Sequence, residues 1–217
     1  DQTNHHDGPV AFSQDQDVAA LTRNQQVFDT TGRVNRSALQ LVFFEAIIGG
    51  DWIGPEPFPY NSPEWSTGHA CFDPKGDIVF ASDRPGGYGG VDLWRSKKQG
   101  GTWGEPYNLG PVVNSPGDEV FPFMSQDSVL YFASNGWTGL GGLDLFSWLP
   151  RASNLEHLPI PINSPADDFA LVVEPDGEGW LSSNRGDWKD RIYRLEMPVA
   201  EVSWEILVRA CDTRPLE

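Results

Sequence analysis

Hydrophobic and polar positions along this chain alternate in short runs that are separated by turn-forming residues. Runs such as IVFAS (78–82) and LDLFSW (143–148) are rich in the β-branched and aromatic residues that favour strands. Clusters of Gly, Asp, Asn and Pro lie between the runs, and no long stretch shows the 3.6-residue period of a helix. The pattern therefore predicts an all-β protein of many short strands.

One hairpin unit is repeated along the chain. A strand, a glycine-rich reversal and a second strand run from Ala81 to Trp94, return from Ala133 to Phe146, and return in shorter form from Ser182 to Tyr193. An Asn-Ser-Pro triplet recurs at 61–63, 114–116 and 163–165, which sets a period of about 50 residues. Four short strands in such a period are typical of a β-propeller blade. A single blade cannot bury both of its faces, so blades stack around a central channel.

We therefore predict a β-propeller with four recognisable four-stranded blades, as part of a larger propeller, over residues 1–203. The blades are expected at about 1–65, 66–118, 119–168 and 169–203. The polar stretch Gln25–Arg36 in the first blade is predicted to be a long loop. Residues 204–217 break the period and are predicted to open a separate element.

Charge and cysteine content exclude several classes of function. A net charge of −16 argues against nucleic-acid and anionic-lipid binding, while it permits cationic partners or serves solubility alone. No apolar run is long enough to span a bilayer. No metal or cofactor site is predicted, because the four histidines and two cysteines lack metal-type spacing. Cys71 is predicted to be a buried thiol, with a Cys71–Cys211 disulfide as the alternative.

Three segments resemble a known repeat. FDPKGDIVFASDRPGGYGGVDLW, FPFMSQDSVLYFASNGWTGLGGLDLF and HDGPVAFSQDQ are similar to the WD40-like, TolB-type propeller repeat, over about residues 6–197. The nearest variety is that of Bacteroidetes outer-membrane proteins which also carry an OmpA-type peptidoglycan-binding domain, some of which resemble the propeller component of type IX secretion.

The resemblance implies a non-catalytic scaffold in the periplasm, associated with the outer membrane, that contacts protein partners in the cell envelope. In that family a carboxypeptidase-regulatory-like β-sandwich often follows the propeller, and ILVRACDTRPLE resembles its opening strand. Residues 204–217 are therefore expected to begin that domain. Peptidoglycan binding would need the OmpA-type domain, which these 217 residues do not include.

The glycine-rich reversals are the candidate partner-binding site. In a blade, the link between strands two and three and the link to the next blade leave on the same face, where loops commonly bind partners. The side chains predicted to be displayed there are Arg84, Tyr88, Trp137, Arg185 and Trp188. The alternative is structural: the glycines supply positive φ and the aromatic rings cover neighbouring blades. Asp92 and Asp144 are expected to accept backbone N–H bonds within the loops, with cation binding as the alternative.

A second candidate site is the mouth of the channel. Equivalent positions at the start of each first strand are occupied by Asp7, Thr67, Glu119 and Asp168. Converging carboxylates there would bind a cation or a basic peptide, while ordinary solvated loop charge is the alternative.

No catalytic residue is predicted, since no G-x-S-x-G motif occurs. The alternative function is a carbohydrate-binding or glycoside-hydrolysing propeller, which would need a pocket lined by tryptophan together with a carboxylate pair or clustered polar groups.

Overall fold

A computed structural model describes residues 6–28, 31, 33–47, 49–151, 154–196 and 207–210. These residues form four four-stranded antiparallel sheets and one two-stranded ribbon, and they contain no helix. The predicted all-β, four-blade propeller arrangement is confirmed. The described residues accordingly offer no long apolar helix that would cross a membrane.

Each blade runs from an inner first strand to an outer fourth strand. The first blade consists of β1 (Asp7–Phe12), β2 (Val18–Phe28), β3 (Val34–Ala46) and β4 (Trp52–Pro57). The second consists of β5 (Thr67–Phe72), β6 (Ile78–Ser82), β7 (Asp92–Ser96) and the outer strand β10 (Tyr107–Asn108), with the ribbon β8 (Lys98–Gln99) and β9 (Thr102–Trp103) inserted. The third consists of β11 (Glu119–Met124), β12 (Leu130–Ser134), β13 (Asp144–Leu149) and β14 (Asn154–His157). The fourth consists of β15 (Asp168–Val173), β16 (Glu178–Ser183), β17 (Arg191–Glu196) and β18 (Leu207–Ala210).

The polar stretch Gln25–Arg36 is not the predicted long loop. Strands β2 and β3 continue through most of it as a long hairpin, paired from Val18 opposite Glu45 out to Phe28 opposite Val34. The backbone hydrogen bonds of a hairpin form with polar side chains as well as with apolar ones. Whether a polar stretch becomes a strand therefore depends on its context more than on its composition. Polar composition was therefore a poor guide here.

Residues 207–210 also differ from the prediction. They pair antiparallel with β17, from Glu196 opposite Leu207 to Tyr193 opposite Ala210, and so complete the fourth sheet. This pairing makes them the fourth strand of the fourth sheet. The rest of 204–217, including Cys211, lies outside the described residues.

Apolar side chains from facing blades form three core clusters. The first joins blades 1 and 2 around Leu41, Phe58 and Phe80, and continuing clusters join blades 2 and 3 and blades 3 and 4. Phe80 and Phe132 are fully buried. Each large side chain buried in this way contributes roughly 1.5–3 kcal/mol relative to an exposed one. Cys71, in the second cluster, is the predicted buried thiol, and burial raises its pKa to about 12.

The asparagine of each Asn-Ser-Pro triplet hydrogen-bonds the link between two blades to the blade that precedes the link. Its Oδ1 accepts from the N–H of a third-strand leucine, and its Nδ2 donates to the carbonyl of the same leucine. The pairs and their distances are Asn61 with Leu41 (3.1 and 2.7 Å), Asn114 with Leu93 (2.8 and 3.0 Å) and Asn163 with Leu145 (2.7 and 2.8 Å). We call this arrangement the asparagine clamp.

Replacing Asn114 with alanine is expected to destabilise the protein by about 2 kcal/mol. The substitution leaves the buried N–H of Leu93 without its acceptor, and such a group costs about 1–3 kcal/mol. Urea unfolding followed by tryptophan fluorescence measures the change. The exposed Asn154, which donates only to Glu156, provides the control, and N154A should change stability by less than about 0.5 kcal/mol. Equal stabilities of N114A and N154A would contradict a structural role for the clamp.

Candidate functional site

The glycine loops and the blade-to-blade links meet on one face of the propeller. The Gly90 N–H donates to the Gly117 carbonyl (2.8 Å), which joins the loop of blade 2 to the following link. The Asp118 N–H donates to Asn135 Oδ1 (2.7 Å), and the Asp167 N–H donates to Asn184 Oδ1 (2.8 Å). We call this surface, formed by loops 83–90, 135–142 and 184–190 with links 109–118 and 158–167, the glycine-loop face.

Asp92 and Asp144 shape the first two of these loops, as predicted. Asp92 accepts from the N–H groups of Tyr88 (2.6 Å) and Gly89 (3.1 Å), while Asp144 accepts from those of Leu140 (2.8 Å) and Gly141 (2.9 Å). Both carboxylates are buried. A Cβ at Gly87 or Gly139 would lie 2.4 or 1.9 Å from the aspartate Oδ2, so only glycine fits at these positions.

Among the described residues, no group of three or more His, Cys, Asp or Glu side chains is placed to hold a metal ion.

Three of the five side chains predicted for partner contact are instead packed within the protein. The Arg84 guanidinium lies 5.0 Å from the Trp94 ring centre, and Trp137 Nε1 donates to the Val113 carbonyl (3.1 Å). Arg185 donates to the Pro161 carbonyl (2.8 Å) and pairs with the buried carboxylate of Asp168. Carbonyls and aromatic rings of the adjoining links and strands engage these long side chains, which leaves them only partly exposed. Their contact with a partner stays a prediction.

The tip of each of the three loops carries an exposed apolar side chain. Tyr88 is 53% exposed, Leu140 is 44% exposed and Trp188 is 77% exposed. Tyr88 and Trp188 lie at the surface as predicted, whereas Leu140 was missed. The signal for Leu140 was its position: it follows Ser134 by the same interval by which Tyr88 follows Ser82. We call Tyr88, Leu140 and Trp188 the apolar tips.

Trp188 is held outward by an unusual backbone conformation. Its φ is +60°, which is rare for a bulky residue and costs about 1–2 kcal/mol. Its N–H donates to the Asn184 carbonyl (3.0 Å), which closes a loop shorter than the other two. The exposed ring gains little packing in return. Such strain is concentrated at functional sites, which makes Trp188 the strongest candidate contact on this face.

The predicted channel-mouth carboxylates are also corrected by the structure. Glu119 and Asp168 are fully buried and Thr67 is 1% exposed. Glu119 accepts from the Ser115 N–H (2.9 Å) and the Ser134 hydroxyl (2.6 Å), and burial raises its pKa. Glu119 and Asp168 lie beneath the links, whose serine N–H groups they bind, and are therefore not displayed at the channel mouth as predicted.

The carboxylates at this position in blades 4 and 1 differ from each other: Asp168 is buried and Asp7 is exposed. Asp168 accepts from the N–H of Ser164 (2.6 Å) as well as from Arg185. Asp7 lies at the exposed start of β1 and pairs with Arg23 (2.7 Å). Of the four positions, three are buried and Asp7 is exposed.

The channel itself is lined by apolar residues at a bulge in each first strand. The pairing register shifts at this point in β1, β5, β11 and β15. The bulge residues His69, Phe121 and Ala170 share a positive φ of 48° to 52°. Together with Pro9 of the first blade they line a cavity of about 300 Å³. Nothing in the sequence pattern marked this cavity, because a bulge does not interrupt strand composition.

His69 is the one ionisable imidazole of the cavity wall. Its ring stacks on Phe121 with centres 4.0 Å apart and an angle of 11° between planes. Burial lowers the pKa of His69 to about 4, so the ring is neutral at physiological pH. Its Nδ1 is buried and has no hydrogen-bond partner among the described residues.

The blade arrangement is similar to propellers of known structure at low sequence identity. A protein from Agrobacterium tumefaciens assigned as TolB superposes with a TM-score of 0.56 at 16% identity, over 93% of this chain and 63% of that one. A puromycin-hydrolysing peptidase of Mycobacterium tuberculosis gives 0.58 at 13% identity, over 94% of this chain and 29% of the peptidase. A Dyadobacter fermentans protein of unknown function gives 0.50 at 14% identity, over 90% of this chain and 66% of that one.

These similarities establish the fold. No family model and no curated protein matches the chain. The chain spans less than two thirds of the TolB-assigned protein and less than a third of the peptidase. With identities this low, the predicted TolB-type resemblance is confirmed as a propeller fold, and chemistry does not transfer with it.

Replacing His69 with phenylalanine is expected to reduce the acid sensitivity of the fold. Between the unfolded pKa of about 6.5 and the native pKa of about 4, the unfolded state binds a proton that the native state does not. Stability therefore falls as pH decreases through this window, by about 2–3 kcal/mol between pH 7 and pH 4.5 for this group. Phenylalanine suits the site because Phe121 occupies the equivalent bulge.

Urea unfolding of both proteins at the two pH values measures the difference. Glu119 and the other titrating groups are present in both proteins, so their contributions cancel. The same loss of stability on acidification in both would contradict a buried neutral His69.

Proposed function

We propose that this chain is a non-catalytic protein-interaction propeller that binds its partner through the apolar tips of the glycine-loop face. The observation that carries the proposal is Trp188, a bulky residue held at positive φ with its ring 77% exposed. Exposed apolar side chains grouped on a rigid frame are typical of protein–protein interfaces, in which tryptophan and tyrosine contribute much of the affinity.

The frame beneath these tips is well suited to presenting them. Asp92 and Asp144 order loops 83–90 and 135–142 by accepting hydrogen bonds from their backbone N–H groups. The side chains of Asn135 and Asn184 join their own loops to the preceding links. Little conformational entropy is then lost when a partner docks, which favours binding. Exposed Val112 and Ile160 in the two links extend the apolar character of the face.

We further propose that the partner belongs to the cell envelope and that the chain functions in the periplasm at the outer membrane. The sequence resemblance to propellers of OmpA-family outer-membrane proteins supports this location, and so does the structural similarity to a TolB-assigned protein. Within that family, the type IX secretion propeller is the nearest model for the role. Contact with peptidoglycan would belong to a domain beyond these residues.

A carbohydrate-active propeller is the alternative from another class. It needs paired carboxylates that face a pocket, but Asp92, Asp144, Glu119 and Asp168 are buried and bonded to backbone groups of their own loops and links. The peptidases of similar fold are matched over less than a third of their length, so their activity is not a basis for assigning one here.

Combined replacement of Tyr88 and Trp188 by alanine is expected to weaken partner binding by about tenfold or more, because even one interface aromatic of this kind contributes about 2 kcal/mol and about 1.4 kcal/mol is a factor of ten. The immobilised chain captures proteins from solubilised envelope of the source bacterium, and the affinity of the one identified is then measured with purified components. Tyr107, which is 43% exposed on the outer strand of blade 2, provides the matched control. Y107A should bind as the unaltered chain does.

Two results would overturn the proposal. One is a partner that binds the double variant and the unaltered chain equally. The other is robust hydrolysis of sugars or peptides by the purified chain, tested with a glycan array, glycoside substrates and peptide substrates.

A further inference from the structure

Arg84 of blade 2 and Arg185 of blade 4 occupy equivalent places in their glycine loops. Each lies two residues after the serine that ends the second strand, and its N–H donates to the Oγ of that serine at 3.2 Å. The Arg185 guanidinium donates to the carbonyls of Pro161 (2.8 Å) and Ile162 (2.5 Å) and pairs with the buried carboxylate of Asp168. An arginine at this place in blade 4 therefore finds acceptors both in the preceding link and at the start of the first strand.

Blade 2 lacks both kinds of acceptor. Thr67, which is buried and uncharged, takes the place of Asp168 opposite the serine that ends the second strand. The preceding link is also two residues shorter in its first part, since it runs from Phe58 to Asn61 where the link before blade 4 runs from Leu158 to Asn163. In blade 4, this part of the link carries the two carbonyls that accept from the arginine.

The Arg84 guanidinium consequently has no hydrogen-bond acceptor among the described residues. Its Nη1 is buried without a partner, and the side chain forms no ion pair with a described residue. Two indole rings pack against it, with the Trp94 and Trp65 ring centres 5.0 and 5.7 Å from its Cζ. A guanidinium carries five donors, and partly buried donors in proteins are nearly always satisfied. Arg84 is therefore a fixed cation whose hydrogen-bonding capacity the protein leaves unused.

This cation lies beside one of the apolar tips. Arg84 belongs to loop 83–90 of the glycine-loop face, is partly exposed, and precedes the exposed Tyr88 by four residues. The carboxylate of the neighbouring Asp83 accepts from the Ser66 N–H (2.5 Å) and forms no ion pair with Arg84. A partner that covers Tyr88 would thus bring its own polar groups close to an unpaired guanidinium.

We propose that Arg84 binds a carboxylate of the partner, on an Asp or Glu side chain whose apolar neighbour contacts Tyr88. A guanidinium pairs with a carboxylate through two parallel hydrogen bonds, and rings that hold it in place favour this geometry. Phosphate is disfavoured, because the net charge of −16 repels a dianion more strongly than a single carboxylate. The inference rests on the proposed function, since it names the chemistry of a partner bound to the glycine-loop face.

The test uses the full chain and the probe acetyl-Glu-Leu-amide, with acetyl-Gln-Leu-amide as the uncharged comparison. NMR follows the indole Nε1–H signals of Trp65 and Trp94 at constant ionic strength. The dissociation constant of so small a probe is expected on the order of 10 mM. The glutamate peptide should bind at least about threefold more tightly than the glutamine peptide, since a partly exposed ion pair contributes modestly. Inorganic phosphate should bind more weakly than the glutamate peptide.

Arg84→Met removes the charge while its long side chain still covers the two indole rings. The affinity of R84M for the glutamate peptide should fall to that for the glutamine peptide. Arg191→Met is the matched control, because Arg191 already pairs with Asp187 (2.6 Å) at the end of another glycine loop. R191M should bind both peptides as the unaltered chain does.

Thr67→Asp tests the same site without removing Arg84. It places in blade 2 the carboxylate that Asp168 supplies to Arg185 in blade 4, so that the arginine gains an acceptor within the protein. Binding of the glutamate peptide by T67D should weaken by about threefold or more. R84M decides the question if T67D does not fold, and T67D decides it if R84M does not fold.

Equal binding of the two peptides by the unaltered chain would overturn the proposal. So would an unchanged preference for the glutamate peptide in a folded R84M or T67D. Tighter binding of phosphate than of the glutamate peptide would show a phosphate site and would overturn the carboxylate assignment. The difference between the two peptides does not depend on the double replacement of Tyr88 and Trp188. A partner that ignores the apolar tips would therefore overturn the proposed function without deciding the role of Arg84 in binding carboxylate.

Discussion

At each junction between blades, one asparagine side chain hydrogen-bonds to both backbone groups of a single leucine in the third strand. The same leucine carbonyl also accepts the N–H of the residue that begins the link, at Phe58, Leu109 and Leu158. The asparagine amide thus hydrogen-bonds to the edge of the third strand at the point where the fourth strand no longer pairs with it. Without it, a buried N–H at each junction would have no partner, which proteins rarely tolerate. The position of every following blade depends on this contact.

Polar residues of this chain serve mainly to order its own loops and links. Asp92 and Asp144 bind loop N–H groups, while Glu119 and Asp168 bind the Ser-Pro links. Each of these carboxylates is buried, and each repeats at the same place in its blade. These four of the 31 acidic residues are therefore engaged within the protein and are not on its surface. The three loop tips of the glycine-loop face, in contrast, present exposed apolar side chains to solvent.

The candidate site could be predicted only in part. Tyr88 and Trp188 are exposed as expected, whereas Arg84, Trp137 and Arg185 are only partly exposed, although all five stand in loops of similar composition. The residue type does not distinguish them, because arginine and tryptophan both bury their apolar parts readily when carbonyls or rings lie nearby. Leu140 was passed over because a lone exposed leucine has no chemical signature. The hairpin over Gln25–Arg36 was missed because its polar side chains resemble those of a loop.

The sequence alone determined the strand-rich fold, the blade period and the positions of the glycine loops, because each of these depends on local alternation, turn residues and repetition. Tertiary structure decided which charged and aromatic side chains reach solvent, because the groups that engage Trp137 and Arg185 lie 24 residues away in the chain. It also decided the channel: the bulge that aligns His69, Phe121 and Ala170 shifts the pairing register without altering the composition of a strand. The four residues of β18 joined the fourth blade for the same kind of reason, since an open strand edge selects its partner by backbone hydrogen bonds.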